Sequence, residues 1–153
     1  MVTDSLLFDF DPRDIIRPLV AVICGFVLGI NRERRGRAAG LRTQVLVSLG
    51  ACVFALSALH LYEQYDEADL DPIRIVAGIA GGIGFLGAGS IVKSSGDLKG
   101  VTTAATVWIS GGTGLACGLG LYLLAAVSVL LCVAALSGLR PLSHHLSDEE
   151  EAA

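Results

Sequence analysis

The sequence predicts an all-α fold: a polytopic membrane helix bundle with five transmembrane helices, the N-terminus outside and the C-terminus inside. Three observations predict it. Charged residues are only 17% of the 153-residue chain, against 53% hydrophobic residues and a mean hydropathy of +0.67, whereas a soluble domain carries about a quarter charged residues. The charges sit at the two ends and in short connecting segments, leaving apolar runs near the ~20 residues a helix needs to cross a bilayer. The connecting segments also differ in sign. Arg32-Glu33-Arg34-Arg35-Gly36-Arg37 through Arg42 is dense in arginine, while Glu63 to Asp71 is purely acidic. The net charge of −4 gives no reason to expect a nucleic-acid partner, because the arginines serve membrane topology first.

Residues 1–14 form an N-terminal outer segment without the basic start of a cleaved signal peptide. The first span is Ile15 to Ile30, short, with Arg17 able to snorkel outward and Pro18 suited to a first helical turn. The second is Thr43 to Leu61, interrupted by Ser48, Ser57 and His60. The third is Ile73 to Val92. The apolar stretch from Val101 to Leu139 is too long for one crossing and divides near Gly118-Leu119-Gly120, as a turn or a kink, into Thr102 to Gly118 and Leu121 to Leu139. The five spans make one domain, 15–139, followed by a short cytoplasmic tail, 140–153, with His144 and His145 in a solvated end.

Basic residues are retained on the cytoplasmic side. The loop after span one is rich in arginine and lies inside. The loop after span two has no basic residue and lies outside. The loop after span three carries Lys93 and Lys99 and lies inside, and Arg140 begins an inside tail. Every segment agrees with one topology, that of a multi-pass protein facing the lipid bilayer.

Span three is the most glycine-rich, with Gly78, Gly82, Gly84, Gly87 and Gly89 among Ile79, Ile83, Phe85 and Leu86. Small residues four apart let helix backbones approach in lipid, so this helix is expected at the centre of the bundle. A second reading is a helix unwound at Gly84 to Gly89 and lining a cavity or ion path. Thr102, Thr103 and Thr106 fall within one turn at the start of span four, suited to capping and interhelical hydrogen bonds. Trp108 lies near mid-depth and is expected to pack inward.

The arginine loop holds the densest polar constellation. Its arginines complement the C-terminal dipole of span one and suit lipid head groups. Alternatively, Arg32, Glu33, Arg37, Arg42 and Thr43 join Lys93, Lys99, Thr102 and Thr103 in an inner-face network that binds a partner or an anion, with Glu33 reaching Lys93, Lys99 or Thr103. Thr43 is the expected cap of span two.

No Asp, Glu or Lys lies deep within a span, where ion transporters usually place carboxylates. Magnesium prefers oxygen ligands with one or two carboxylates, so no metal ligands are assigned and no cofactor is expected. The sequence holds no Ser/His/Asp or Cys/His pattern, phosphate loop or HExxH motif, and an enzyme is not expected. Cys24, Cys52, Cys117 and Cys132 all lie in apolar runs, as small packing residues do.

Three blocks resemble the MgtC/SapB family of bacterial inner-membrane proteins. They are Gly29-Ile30-Asn31-Arg32-Glu33-Arg34 with Ala39-Gly40-Leu41-Arg42-Thr43, then Gly82-Ile83-Gly84-Phe85-Leu86-Gly87-Ala88-Gly89, then Gly100-Val101-Thr102-Thr103-Ala104-Ala105-Thr106. The resemblance implies a five-helix membrane domain, here in a short form lacking the cytoplasmic C-terminal domain of the founding members. It also implies links to magnesium homeostasis, stress adaptation and virulence, and a regulatory role on membrane machines, with the F-type ATP synthase as partner. The expected function is a non-enzymatic modulator of a membrane partner. The alternative is a small homo-oligomeric transporter or channel for Mg²⁺ or another ion, with its path along the third helix.

Overall fold

The computed structural model describes residues 11–64, 71–94 and 97–138. The expectations for residues 1–10, for the acidic segment 65–70 and for the tail 139–153 lie outside the described residues. Within them are five helices: α1 Arg13–Glu33, α2 Leu41–Gln64, α3 Pro72–Ala88, α4 Val101–Gly118 and α5 Tyr122–Gly138. A short antiparallel hairpin, β1 Val92–Ser94 and β2 Asp97–Lys99, pairs Val92 with Lys99 and Lys93 with Leu98.

The helix ends follow local chemistry. Asp71 caps α3, its Oδ1 accepting from the Ile73 N–H at 2.9 Å, and Pro72 occupies the first helical position, where a missing N–H costs nothing. α3 stops at Ala88 rather than Val92. The Ser90 hydroxyl donates to the Gly87 carbonyl at 2.7 Å, satisfying a terminal acceptor, and the chain then enters the hairpin. α1 starts at Arg13, so Pro18 sits in the second turn and not the first. Between α4 and α5 the Leu121 N–H reaches the Ala116 carbonyl at 2.8 Å and the Gly120 N–H reaches that of Cys117 at 2.9 Å. That is the Schellman closure, and the Gly118–Gly120 segment is a turn between two helices rather than a kink.

Consecutive helices run in opposite directions. His60 on the last turns of α2 meets Asp14 on the first turn of α1 at 3.1 Å. Arg32 near the end of α1 meets Thr103 at the start of α4, and Arg35 just beyond α1 meets Leu136 near the end of α5. α4 is the central helix and packs against all four others. One face of α2, Leu41, Gln44, Ser48, Cys52 and Ala55, is held between glycines of α1 and α4. A Cβ on Gly25 would lie 2.7 Å from the Gln44 carbonyl oxygen, and one on Gly118 would lie 2.8 Å from that of Cys52. Small residues thus draw these helices together as packing in lipid requires. Buried hydroxyls close the seam: Ser48 Oγ donates to the Ala21 carbonyl and Ser110 Oγ to that of Gln44, both at 2.8 Å. Cys24, Cys52 and Cys117 are buried packing residues in the main core with Ala21, Leu28, Ala116, Ala125 and Val129.

The expectation that the glycine-rich helix is central is overturned. α3 lies at the side of the bundle, against α4 and the edge of α2. A Cβ on Gly78, Gly82 or Gly84 would meet nothing within 4 Å, and only near its C-terminus does the helix come close, where a Cβ on Gly87 would lie 3.3 Å from the Ala104 carbonyl oxygen. The cause is visible at Ile83, whose side chain fills the space above Gly111 and joins Ala51 and Val107 in a second small core. One bulky contact anchors α3, and its glycine face is left without a neighbour. The alternative reading, a helix unwound at Gly84 to Gly89, is not seen either, since α3 continues as a regular helix to Ala88. Trp108 is 52% exposed and points out of the bundle, as do Phe85 and Leu123, each 80% exposed. Exposed apolar surface this extensive does not suit water. α1 and α2 are each long and apolar enough to cross a membrane.

Candidate functional site

The arginine cluster takes shape where α1 ends. The Gly36 N–H bonds the Glu33 carbonyl at 3.0 Å and the Arg37 N–H bonds that of Arg32 at 3.2 Å. This second Schellman closure needs the left-handed conformation of Gly36, φ 58°, and it folds Arg37 back beside the last turn of α1. On the facing side, Gly100 adopts φ 93°, and a Cβ there would run into the Ser90 carbonyl. Gly100 therefore fixes where α4 begins, and as its N-cap it offers no side-chain acceptor to the first amide groups.

Between these ends lies a cavity of about 430 Å³. Asn31, Arg32, Arg35 and Arg37 line one side. Gly100, Val101, Thr102 and Thr103 line the other, with Leu98, Ala135 and Leu136 completing the wall. Arg32 is 4% exposed. Its Nη2 donates to the Ala38 carbonyl at 3.2 Å and to Thr103 Oγ1, while its buried Nε has no hydrogen-bond partner. Among the described residues no carboxylate lies within 4 Å of it. The Arg32 guanidinium stays cationic, as arginine does in proteins. Arg35 is held by α5, donating from Nη1 to the Leu136 carbonyl at 2.7 Å and from Nη2 to Ser137 Oγ at 3.1 Å. Asn31 Nδ2 also reaches Ser137 Oγ, at 3.3 Å, and its buried Oδ1 is left without a partner.

The structure brings four of the expected network residues together, Arg32, Arg37, Thr102 and Thr103. It removes Glu33. The Glu33 carboxylate turns to its own loop, where Oε2 accepts the Leu41 N–H at 2.9 Å and caps α2. A carboxylate at a helix N-terminus answers both a free donor and the dipole, which is why Glu33 does not cross to Lys93, Lys99 or Thr103. Thr43 is consequently not the cap, being an exposed residue inside the first turn of α2. Arg42, Lys93 and Lys99 are exposed and stand outside the cavity lining. Asn31 and Arg35 belong to the site although the sequence reading passed over them. The spacing of Arg35 from Asn31 and from Arg32, one turn of helix, was the available signal. Gln44 was missed as well: it is fully buried, with Nε2 donating to the Ala39 carbonyl at 3.2 Å and Oε1 unpartnered.

A second feature lies on the side of the bundle. An apolar groove of about 750 Å³ separates α2 from α3, with Leu46, Gly50 and Phe54 on one wall and Ile75, Gly78, Gly82 and Leu86 on the other.

Comparison with known proteins adds the following. A family model described as the MgtC family matches residues 19–145. An uncharacterized protein of Synechocystis is 40% identical over 137 residues, covering 90% of this chain and 56% of its own length. Protein MgtC of Salmonella typhimurium is 44% identical over 120 residues, covering 77% and 49%. Protein MgtC of Brucella abortus is 42% identical over 122 residues, covering 80% and 49%. The chain thus spans about half the length of the curated relatives it matches. No solved structure matches.

Proposed function

Because the chain belongs to the MgtC family, we propose that it is a multi-pass protein of the bacterial inner membrane that modulates a membrane partner without enzymatic chemistry. In this reading all five helices cross the bilayer, N-terminus outside and C-terminus inside. The alternating helix directions support it, as does the gathering of Arg32, Arg35 and Arg37 at one end of the bundle, which retention of basic residues makes the cytoplasmic end.

The observation that carries the modulator reading is the open face of α3. Gly78 and Gly82 have the four-residue spacing with which membrane helices pack closely, yet a Cβ on either would meet nothing within 4 Å. Beside them lies the apolar α2–α3 groove of about 750 Å³. The F-type ATP synthase is the partner that the family resemblance suggests, and magnesium limitation or stress is the setting. Co-reconstitution of the synthase with this chain tests the reading. ATP-driven proton pumping is expected to change in the presence of the chain and to recover with Gly82→Leu, which fills the groove without touching the core. Pumping that ignores both proteins overturns it.

The same open face favours one alternative, a homo-oligomer whose copies meet along α3 and conduct an ion there. Liposomes holding the chain alone would then release Mg²⁺ or another ion down a gradient, and Gly84→Leu would stop the release.

A further inference from the structure

We propose that the arginine cavity between the end of α1 and the start of α4 is a binding site for a phosphoryl group, carried either by inorganic phosphate or by an anionic phospholipid head group. The site shares no lining residue with the α2–α3 groove, and its occupancy is measured without a partner docked there.

The charge is the first argument. Arg32, Arg35 and Arg37 line one cavity, and among the described residues no carboxylate shares that lining. A buried charge is costly unless paired, and Arg32 is buried without an anionic partner. Its Nη2 is occupied by the Ala38 carbonyl and Thr103, but neutral acceptors do not cancel a positive charge. A multiply charged oxyanion does.

The second argument is the supply of unused donors. Arg32 lines this cavity, and its Nε is buried without a partner. The Thr103 hydroxyl accepts from Arg32, which leaves its own proton free to donate. The first turn of the 18-residue helix α4 lines the cavity with no side-chain cap on its amide groups. Helix N-termini and arginine forks are the usual partners of phosphate, the first by dipole and free N–H groups, the second by planar, charge-assisted bonds.

Size and wall chemistry then narrow the class. A volume of about 430 Å³ is far more than a halide fills. Leu98, Val101, Ala135 and Leu136 give the cavity an apolar side, which suits an organic group attached to the phosphoryl. Asn31 Oδ1, buried and unpartnered, is the acceptor for a hydroxyl on such a group or for a protonated phosphate oxygen.

The test uses the full chain. Arg37→Gln is the main variant: Arg37 is exposed and its side chain makes no hydrogen bond among the described residues, so the fold does not depend on it. Arg32→Gln is the second. In phosphatidylcholine nanodiscs, inorganic phosphate is titrated against chloride of equal ionic strength while thermal unfolding is followed. In parallel, discs with and without phosphatidylglycerol are compared, and retained lipid is counted by native mass spectrometry. A free-phosphate site gives a saturable rise in melting temperature with phosphate in the neutral discs. A head-group site gives that rise with phosphatidylglycerol, with retained anionic lipid, and no further effect of phosphate. In either case Arg37→Gln weakens apparent binding by about tenfold or more, the scale of one charge-assisted contact. The proposal is overturned if phosphate acts no differently from chloride and phosphatidylglycerol no differently from phosphatidylcholine. It is equally overturned if the effects survive unchanged in both variants.

Discussion

Two alanine substitutions that look alike in sequence should behave in opposite ways. Gly25→Ala on α1 places a methyl 2.7 Å from the Gln44 carbonyl oxygen and 2.8 Å from the Val45 Cα, where ordinary contact begins near 3.4 Å. Both neighbours are backbone, so no rotamer change relieves the clash, and α1 and α2 must move apart by roughly half an ångström or more. Overpacking of this kind costs about 1–3 kcal/mol. For a chain of this size that is a fall in melting temperature of roughly 2–4 °C per kcal/mol, or about 2–12 °C in all. Gly82→Ala on α3 places its methyl where nothing lies within 4 Å, and alanine is the better helix former by ~1 kcal/mol. The melting temperature is expected to hold or rise. Both proteins are compared in one detergent by circular dichroism, with the monomer checked by light scattering. Equal shifts would refute the argument that close packing belongs to α1, α2 and α4 and not to α3.

Further predictions follow from single contacts. Glu33→Ala should destabilise the chain by about 1 kcal/mol through loss of the α2 cap, measured by thermal unfolding. Lys99→Glu should not rescue Glu33→Lys, because Glu33 faces Leu41 and not the hairpin; a rescue would contradict the structure. Asp71→Ala should cost a similar ~1 kcal/mol and leave Asp71→Asn nearly neutral, since the cap needs an oxygen acceptor and not a charge. Alkylation of the intact protein should modify Cys132 before Cys24, Cys52 or Cys117, the last three being buried; labelling followed by peptide mapping reads the order.

Much of this was legible in the chain. Apolar runs and charge sign located all five helices to within a few residues, because a bilayer imposes length and composition on each span separately. Which helix stands at the centre was not legible. Glycine content marked α3, but a glycine says that an approach is allowed and not that a neighbour is present. α4 carries its glycines on the same helix as buried Thr103, Thr106, Ser110 and Thr113, and that combination of small and hydroxyl side chains is what lets it face four helices at once. Glu33 was misassigned for a related reason. Charge complementarity suggested Lys99, yet a helix start eight residues away offered a local donor at lower entropic cost. The hairpin escaped notice because its strands, Val92–Ser94 and Asp97–Lys99, are three residues each, too short for an alternating pattern.

The contrast between a closed seam and open edges bears on what the fold can do. Gln44, Ser48, Ser110 and Thr113 form a buried polar seam where α2 meets α4. Their hydroxyls donate to backbone carbonyls, and glycines press the helices together around them: methyls at Gly25 and Gly118 would clash with the α2 backbone. An ion moving along that seam would have to break satisfied hydrogen bonds and part helices already in contact, with no carboxylate at depth to receive it. The polar groups therefore hold the bundle together. Among the described residues the packing leaves two places open, the apolar α2–α3 groove and the cavity around Arg32. One is apolar and lateral and the other cationic and terminal, which suits a helix in the bilayer and an anion at its surface.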